Sequence, residues 1–279
     1  MAGSARRSLG RTWKQWAKMP RRDKAGLRFI DSHSHLGDYV DPGQVLSFAS
    51  STCTLIVTAG TDVSNSLHGV SLSREHPELV RAFVGVHPSE AEQERDLGWL
   101  EGALREAAGV GEVGLDPKYS AVDRGSPQMK LLLSQLDAAE NAGKPVQMHS
   151  RGAERECLDA LETFSLKKVL LHWFQGEKEV AEADGRGYYV SFGPALLVSK
   201  KLQRMAKVWG RDRIVVESDG PVRFAALGGV GGSWLIPTVV FKLAELFSCT
   251  FEETRGAILR NGLDFQDWKG ISPERDRVE

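Results

Sequence analysis

The sequence predicts a single (β/α)8 barrel, and three observations lead to that fold. Eight short runs rich in Val, Ile and Leu alternate with segments of helical period. Most of these runs are apolar on both faces, as the buried strands of a parallel sheet are. Eight such strands and their helices extend over about 240 residues, which is the usual size of a (β/α)8 barrel.

The eight predicted strands follow one another from residue 28 to residue 219. They cover residues 28–32, 54–60, 79–86, 109–115, 144–150, 167–173, 187–193 and 213–219. Between residues 28 and 268 there is no internal repeat and no low-complexity tract, so one domain accounts for all eight strands.

The segments between the strands carry helix signals, and the clearest lies between the fourth and fifth strands. Ser126 is the expected N-cap there, Pro127 takes the first helical position, and Gly143 follows the last turn. Thr61 or Asp62 is expected to cap the helix after the second strand. Further helices are predicted at residues 90–107, 153–163, 177–185, 196–209 and 237–247.

The charge distribution divides the chain into a barrel domain and two charged ends. We predict a flexible basic extension at residues 1–27, the domain at residues 28–268, and a charged tail at residues 269–279. The first 28 residues hold nine Lys and Arg against one Asp, so the rest of the chain is acidic. An acidic body argues against nonspecific nucleic-acid binding by the domain, whereas the extension could contact phosphates.

The extension has two alternative interpretations that the sequence leaves open. Leu9, Trp13 and Trp16 recur at helical spacing among basic residues, which is typical of a basic amphipathic helix. Met19 is also a candidate start, in which case the residues before it are an upstream addition.

Composition favours a globular cytoplasmic protein. The 279 residues are 41% hydrophobic and 26% charged, and no apolar run approaches the ~20 residues of a membrane-spanning helix. No secretory signal is visible at the N-terminus. Three well-separated cysteines, Cys53, Cys157 and Cys249, indicate neither a disulfide framework nor a zinc ribbon.

Residues that can bind metal follow the predicted strands at their C-terminal ends. In chain order they are His33 and His35, His87, Glu112, His149, His172 and Asp219. Each alone has an ordinary interpretation, such as a core histidine, a salt-bridged carboxylate or a helix cap. In a closed parallel barrel, however, the strand ends form one face, so these side chains converge there.

Four histidines (His33, His35, His149 and His172) and two carboxylates (Glu112 and Asp219) in one cup predict a metal site. It is most naturally a site for two divalent cations bridged by a carboxylate. Imidazole and carboxylate together suit Mg, Mn or Zn, and the lack of cysteine ligands argues against a purely structural zinc. Two such ions would lower the pKa of a water to about 7, and Asp219 is placed to orient that water or accept its proton.

The segments around these residues resemble the TatD family of metal-dependent deoxyribonucleases, which are amidohydrolase-like TIM barrels. The similar segments are DSHSHL (31–36), GVHPSE (85–90), GEVGLD (111–116), QMHSRGA (147–153), LLHWFQG (170–176), YYVSFG (188–193) and ESDGP (217–221). The resemblance implies hydrolysis of DNA phosphodiester bonds by a metal-activated water, with exonucleolytic action on single-stranded or 3′-ended DNA.

The resemblance also implies a role for each matching residue. His33 and His35 would hold one ion with Asp219, His149 and His172 would hold the second, and Glu112 would bridge the two. His87 and Arg151 match positions that meet the phosphate of the substrate. Asp116 matches an acidic residue that steadies a ligand.

Three segments depart from the family pattern and leave the substrate open. HWFQG (172–176) stands for His-x-Phe-Ser-Gly, ESDGP for Glu-Thr-Asp-Ala-Pro, and RFAALGGVGGSW (223–234) replaces an Arg-Asn-Glu-Pro-like stretch. One alternative is therefore a hydrolase of a non-phosphate ester or amide, such as an aminoacyl-tRNA ester or a lactone. Another is a non-catalytic nucleic-acid-binding scaffold that uses the basic extension.

Overall fold

Eight parallel strands, paired in chain order, form the centre of the fold in the computed structural model, which describes residues 27–93, 96–224 and 229–268. The strands are β1 (Phe29–Ser34), β2 (Thr54–Ala59), β3 (Val80–Val84), β4 (Gly109–Gly114), β5 (Val146–His149), β6 (Val169–His172), β7 (Tyr189–Phe192) and β8 (Ile214–Val216). Two backbone hydrogen bonds, from the N–H of Asp219 to the oxygen of His33 and from the N–H of His35 to the oxygen of Gly220, join the β8 end to β1. The predicted (β/α)8 barrel is confirmed.

Helices separate the strands and pack around the barrel. They are α1 (Pro42–Thr52), α2 (Val63–Glu75), α3 (Leu100–Leu104), α4 (Pro127–Ala142), α5 (Glu154–Leu161), α6 (Val180–Gly185), α7 (Lys200–Val208), α8 (Ile236–Phe247) and α9 (Phe251–Phe265). Asp62 caps α2 through the N–H of Asn65, and Ser126 caps α4 through the N–H of Met129. Gly143 ends α4 in a left-handed conformation, as expected.

One predicted helix is much shorter than expected. Of the described residues between 90 and 107, only Leu100–Leu104 is α-helical, and a 3-10 turn at Pro88–Glu90 precedes it. The side chain of Asp96 accepts a hydrogen bond from the N–H of Gly98. That local turn competes with the helix before Leu100, because aspartate bonds readily to the backbone two residues on.

The last helix closes the barrel at the N-terminal ends of its strands. Phe265 enters the barrel interior, where its ring centroid lies 5.7 Å from that of Phe83 and 5.5 Å from that of Tyr189. Asp264 accepts a hydrogen bond from the hydroxyl of Tyr189, and Lys168 forms an ion pair with Asp264 at 3.3 Å. With this end filled, the open end of the barrel is the one where the predicted ligands lie.

The predicted charged ends fall outside the described residues, apart from Leu27, so the domain boundaries stay predictions. Within the described ranges, no single helix has the length and hydropathy to cross a membrane. The helical segments Ser233–Phe247 and Phe251–Phe265 meet those criteria only when they are taken together, as a pair bent by 113°.

Candidate metal centre

All six predicted metal ligands meet in the barrel mouth at the C-terminal ends of the strands. Each is buried, with no more than 7% of its surface exposed: His33, His35, Glu112, His149, His172 and Asp219. The ligand atoms of His33, His35 and Asp219 lie within 4.8 Å of one another, and so do those of His33, Glu112 and His172. Residues from strands that are far apart in sequence therefore form one compact set of potential metal ligands, the donor set.

The Glu112 carboxylate lies between two pairs of histidines. Its Oε2 is 3.5 Å from His33 Nε2 and 3.3 Å from His35 Nε2. Its Oε1 is 2.6 Å from His149 Nδ1 and 3.6 Å from His172 Nε2. One oxygen thus faces the two histidines at the end of β1, and the other faces those of β5 and β6, which is the geometry a bridging carboxylate requires.

Asp219 completes the donor set from the opposite side. Its Oδ1 lies 3.4 Å from His35 Nε2 and 3.8 Å from the Nε2 atoms of His33 and His172. The backbone of Asp219 is left-handed, with a φ of 48°, a conformation that aspartate tolerates better than most residues.

Each of the four histidines is held at the ring nitrogen that faces away from the centre. The pairs are His33 Nδ1 with Gln147 Oε1 at 2.7 Å, His35 Nδ1 with the backbone oxygen of Ala59 at 3.0 Å, His149 Nε2 with Asp116 Oδ2 at 3.0 Å, and His172 Nδ1 with Glu217 Oε2 at 2.7 Å. In the neutral rings these acceptors hold the proton on the outer nitrogen, so that the inner nitrogen has a lone pair for a metal.

His33 and His35, at the end of β1, show most clearly that the centre fits a cation. The oxygen of Ala59 can only accept, so His35 Nδ1 must donate to it. Gln147 donates its amide to the oxygen of Ser32 at 2.8 Å, so its own oxygen faces His33 Nδ1. In the neutral rings both Nε2 atoms are then acceptors, yet they lie only 3.3 Å apart. A cation between them removes this repulsion.

The electrostatics of the buried centre also favour positive charge. Burial opposes ionisation of Glu112, but His87, His149 and His172 hold the pKa of its carboxyl well below the usual range. Burial alone would lower the pKa of His149, whereas Glu112 and Asp116 raise it to about 9. A carboxylate that stays ionised here is suited to divalent cations such as Mg, Mn or Zn.

A close approach of β4 to β5 brings Glu112 next to His149, and it requires glycine. Gly114 has a φ of +154°, and a Cβ at this position would lie 1.9 Å from the backbone oxygen of His149. Any larger residue would push the two strands apart and separate Glu112 from its neighbour.

His87 lies at the edge of the donor set, with its Nε2 3.8 Å from Glu112 Oε1. Its Nδ1 accepts a hydrogen bond from the backbone N–H of Ser89 at 3.1 Å, which favours the tautomer with the proton on Nε2. Burial lowers the pKa of His87 to about 4, so the ring is neutral near pH 7. Although His87 is close enough to Glu112 and His149 to share a metal with them, its inward nitrogen is therefore a donor rather than a ligand.

Asp116 links His149 to Arg151. Its Oδ2 accepts hydrogen bonds from His149 Nε2 at 3.0 Å and from Arg151 Nε at 2.9 Å. Burial opposes ionisation, but His149, the N–H of Lys118 and Arg151 together lower the pKa of Asp116 to about 2. The half-buried guanidinium of Arg151 is thus fixed beside the centre, with its position set by the same carboxylate that orients His149.

Two residues of this centre, Gln147 and Glu217, were not among the predicted site residues. Gln147 lies two positions before His149, and Glu217 two positions before Asp219. A polar side chain two positions before a ligand in an apolar strand is the signal that could have found them, because alternate residues of a strand share a face.

We expect Gln147→Met to weaken metal binding by about 10- to 100-fold, because His33 loses the acceptor that fixes its tautomer. The measurement is a titration with a chelating dye that competes for the metal. Gln135→Met is the matched control, because Gln135 is equally buried but bonds to the backbone of Val86 instead of to a histidine. Equal metal affinity in both variants would contradict the role of Gln147.

The fold and this donor set together place the chain among the metal-dependent hydrolases with an amidohydrolase-like barrel. A family model described as TatD related DNase matches residues 30–265. The chain belongs to the TatD family.

Curated relatives and a solved structure agree with this assignment. The chain is 27% identical to the human protein named Deoxyribonuclease TATDN3, over 86% of this chain and 94% of that one. It is 26% identical to the 3′-5′ ssDNA/RNA exonuclease TatD of Erwinia tasmaniensis, over 65% of this chain and 69% of that one. The crystal structure of YJJV, a TatD homologue from Escherichia coli K12, has the same fold, with a TM-score of 0.75 and 23% identity over 85% of this chain and 97% of that one.

Proposed function

We propose that this protein is a deoxyribonuclease that hydrolyses DNA phosphodiester bonds with two divalent cations. The observation that carries the proposal is the position of Glu112, whose two carboxylate oxygens face separate histidine pairs. In this proposal His33, His35 and Asp219 hold one ion, His149 and His172 hold the other, and Glu112 belongs to both.

The printed names of two relatives support a DNA substrate. One is a deoxyribonuclease, and the other is named for exonuclease action on single-stranded DNA and RNA from the 3′ end. We therefore propose exonucleolytic action on single-stranded or 3′-ended DNA for this chain as well.

Each residue of the centre has a separate proposed role in phosphodiester hydrolysis. When bound, the two cations would lower the pKa of a water and offset negative charge that develops on the phosphate. Asp219 is the proposed general base, because its Oδ1 faces the centre and can accept a proton. His87 Nε2–H and the Arg151 guanidinium are donors that can bind the phosphate oxygens and orient the substrate.

A substrate panel tests the proposal against its two rivals. Purified protein is assayed with Mg, Mn or Zn on single- and double-stranded DNA labelled at either end, on aminoacyl-tRNA, and on small esters, amides and lactones. Progressive shortening of single-stranded DNA, with about two ions per chain by elemental analysis, is the expected result. Faster turnover of an aminoacyl ester, amide or lactone would replace the nuclease proposal. Binding of DNA without turnover of any substrate would support the scaffold instead.

A further inference from the structure

Two aromatic rings stand beside the metal centre at the open end of the barrel. Trp173 directly follows the ligand His172, and its ring lies edge-on to that imidazole, with centroids 6.0 Å apart and planes at 75°. Phe224 belongs to β9 (Arg223–Phe224), which pairs with β10 (Gly229–Val230) after the β8 loop. The centroids of Trp173 and Phe224 are 6.1 Å apart and their planes are inclined by 35°. Both residues are half-buried.

The rings are continuous with the reacting end of the site. A narrow hollow of about 10 Å³ is lined by Trp173, Phe224 and Asp219, and its remaining wall includes Phe174, Phe192 and Glu217. An apolar surface therefore borders the carboxylate that we propose as the base. A group that lies on these rings is next to the bond that is cleaved.

The backbone at Trp173 is held in a costly conformation. Its φ is 46°, in the left-handed region that bulky side chains rarely adopt. Such a conformation persists only where surrounding structure imposes it. The backbone N–H of Trp173 donates a hydrogen bond to the carboxylate of Glu217, the residue that also holds His172.

We propose that Trp173 and Phe224 form a stacking platform for the nucleobase next to the scissile phosphate. Aromatic side chains bind bases through their faces with little sequence preference. In a duplex those faces are covered by neighbouring bases, so the platform selects single strands or frayed ends. The exposed Arg223 beside Phe224 adds a positive charge for the phosphates of such a strand. This inference rests on the proposed nuclease function and specifies which part of the substrate is recognised.

Oligonucleotides that lack single bases test base stacking on the platform separately from cleavage of the phosphodiester bond. Wild-type protein is compared on single-stranded DNA with normal nucleotides and on DNA with tetrahydrofuran abasic sites near the digested end. We expect Trp173→Ala to raise KM for normal DNA by about 5- to 100-fold, as loss of one stacking contact does, and to leave cleavage at abasic sites unchanged. Trp173→Phe is expected to restore most of the preference for normal DNA.

Trp268→Ala is the matched control, because this tryptophan lies near the opposite end of the barrel, where it contacts Arg81. It should leave the preference for normal over abasic DNA unchanged. An equal loss on both substrates in Trp173→Ala would overturn the platform, because it would mean that His172 has been displaced. An unchanged preference in that variant would also overturn it.

A binding measurement separates failure of the platform from failure of the nuclease proposal. A 2-aminopurine base at either end of an oligonucleotide loses fluorescence when it stacks on an aromatic ring. Quenching by wild-type protein but not by Trp173→Ala would support the platform even if no DNA is cleaved. DNA cleavage without any quenching at either end would retain the nuclease and overturn the platform.

Discussion

Glu112→Gln should remove metal from the centre and lower DNA cleavage by ~10³-fold or more, since two bound cations supply several kcal/mol of transition-state stabilisation. The substitution keeps the shape of the side chain but removes the charge that faces both histidine pairs. An amide nitrogen is a donor, so it cannot serve as a ligand on the side it occupies. Elemental analysis should show fewer ions per chain than in the wild type, and initial rates on labelled single-stranded DNA should fall accordingly.

Glu182→Gln provides the matched control for this experiment. Glu182 pairs with Arg155 and Arg186 on the outside of the barrel, away from the strand ends. Its substitution should change neither metal content nor rate, because surface ion pairs contribute little. If Glu112→Gln kept its full metal content and its activity, the bridging role of Glu112 would be wrong.

The convergence of the candidate ligands could be predicted from sequence, because a parallel barrel places the C-terminal ends of all its strands on one face. His33 and Asp219 are 186 residues apart in sequence, yet both follow apolar strands, and the structure places them 3.8 Å apart. Residues far apart in sequence meet in this way because the C-terminal ends of all the strands lie on one face of the barrel. The burial of both residues then follows from the same geometry.

The contacts that orient the ligands depend on details that strand patterns do not contain. Gln147 on β5 bonds to His33 on β1, which lies 114 residues earlier, and no motif or spacing in the sequence indicates this contact. Asp31 likewise accepts hydrogen bonds from the N–H of Ser218 at 2.8 Å and the hydroxyl of Ser233 at 2.7 Å, which tie the β8 loop to β1. Ser233 lies in the segment where the family resemblance fails.

Two helices were missing from the prediction although the sequence carries signals for both. Thr250 and Glu253 form a capping box at the start of α9, and Asp41 caps α1 ahead of Pro42. The strands β9 and β10 could not be predicted in the same way, because two residues are too few to show an alternation of apolar and polar side chains. The position of β9 and β10 beside Asp219 depends on the course of the loop that follows β8.

Asp219→Asn should abolish most of the catalytic rate while leaving the fold intact. Asparagine tolerates a left-handed backbone, so the φ of 48° at this position does not oppose the substitution. Its amide cannot accept a proton as a carboxylate does, and loss of a positioned base typically lowers the rate by about 10²- to 10⁴-fold. The measurement is kcat and KM on single-stranded DNA over a range of metal concentrations.

Metal saturation separates the two roles of Asp219. Because His33, His35 and Glu112 remain, excess metal should restore the ion content of Asp219→Asn, whereas kcat should stay low. Asp267→Asn, near the opposite end of the barrel where Asp267 pairs with Lys168, should behave like the wild type. If excess metal restored kcat together with the ion content, Asp219 would be a ligand only, and the proton would have to pass to another group. If Asp219 is both a metal ligand and the general base, excess metal can replace its contribution to metal binding, but it cannot replace the proton acceptor that Asp219→Asn removes.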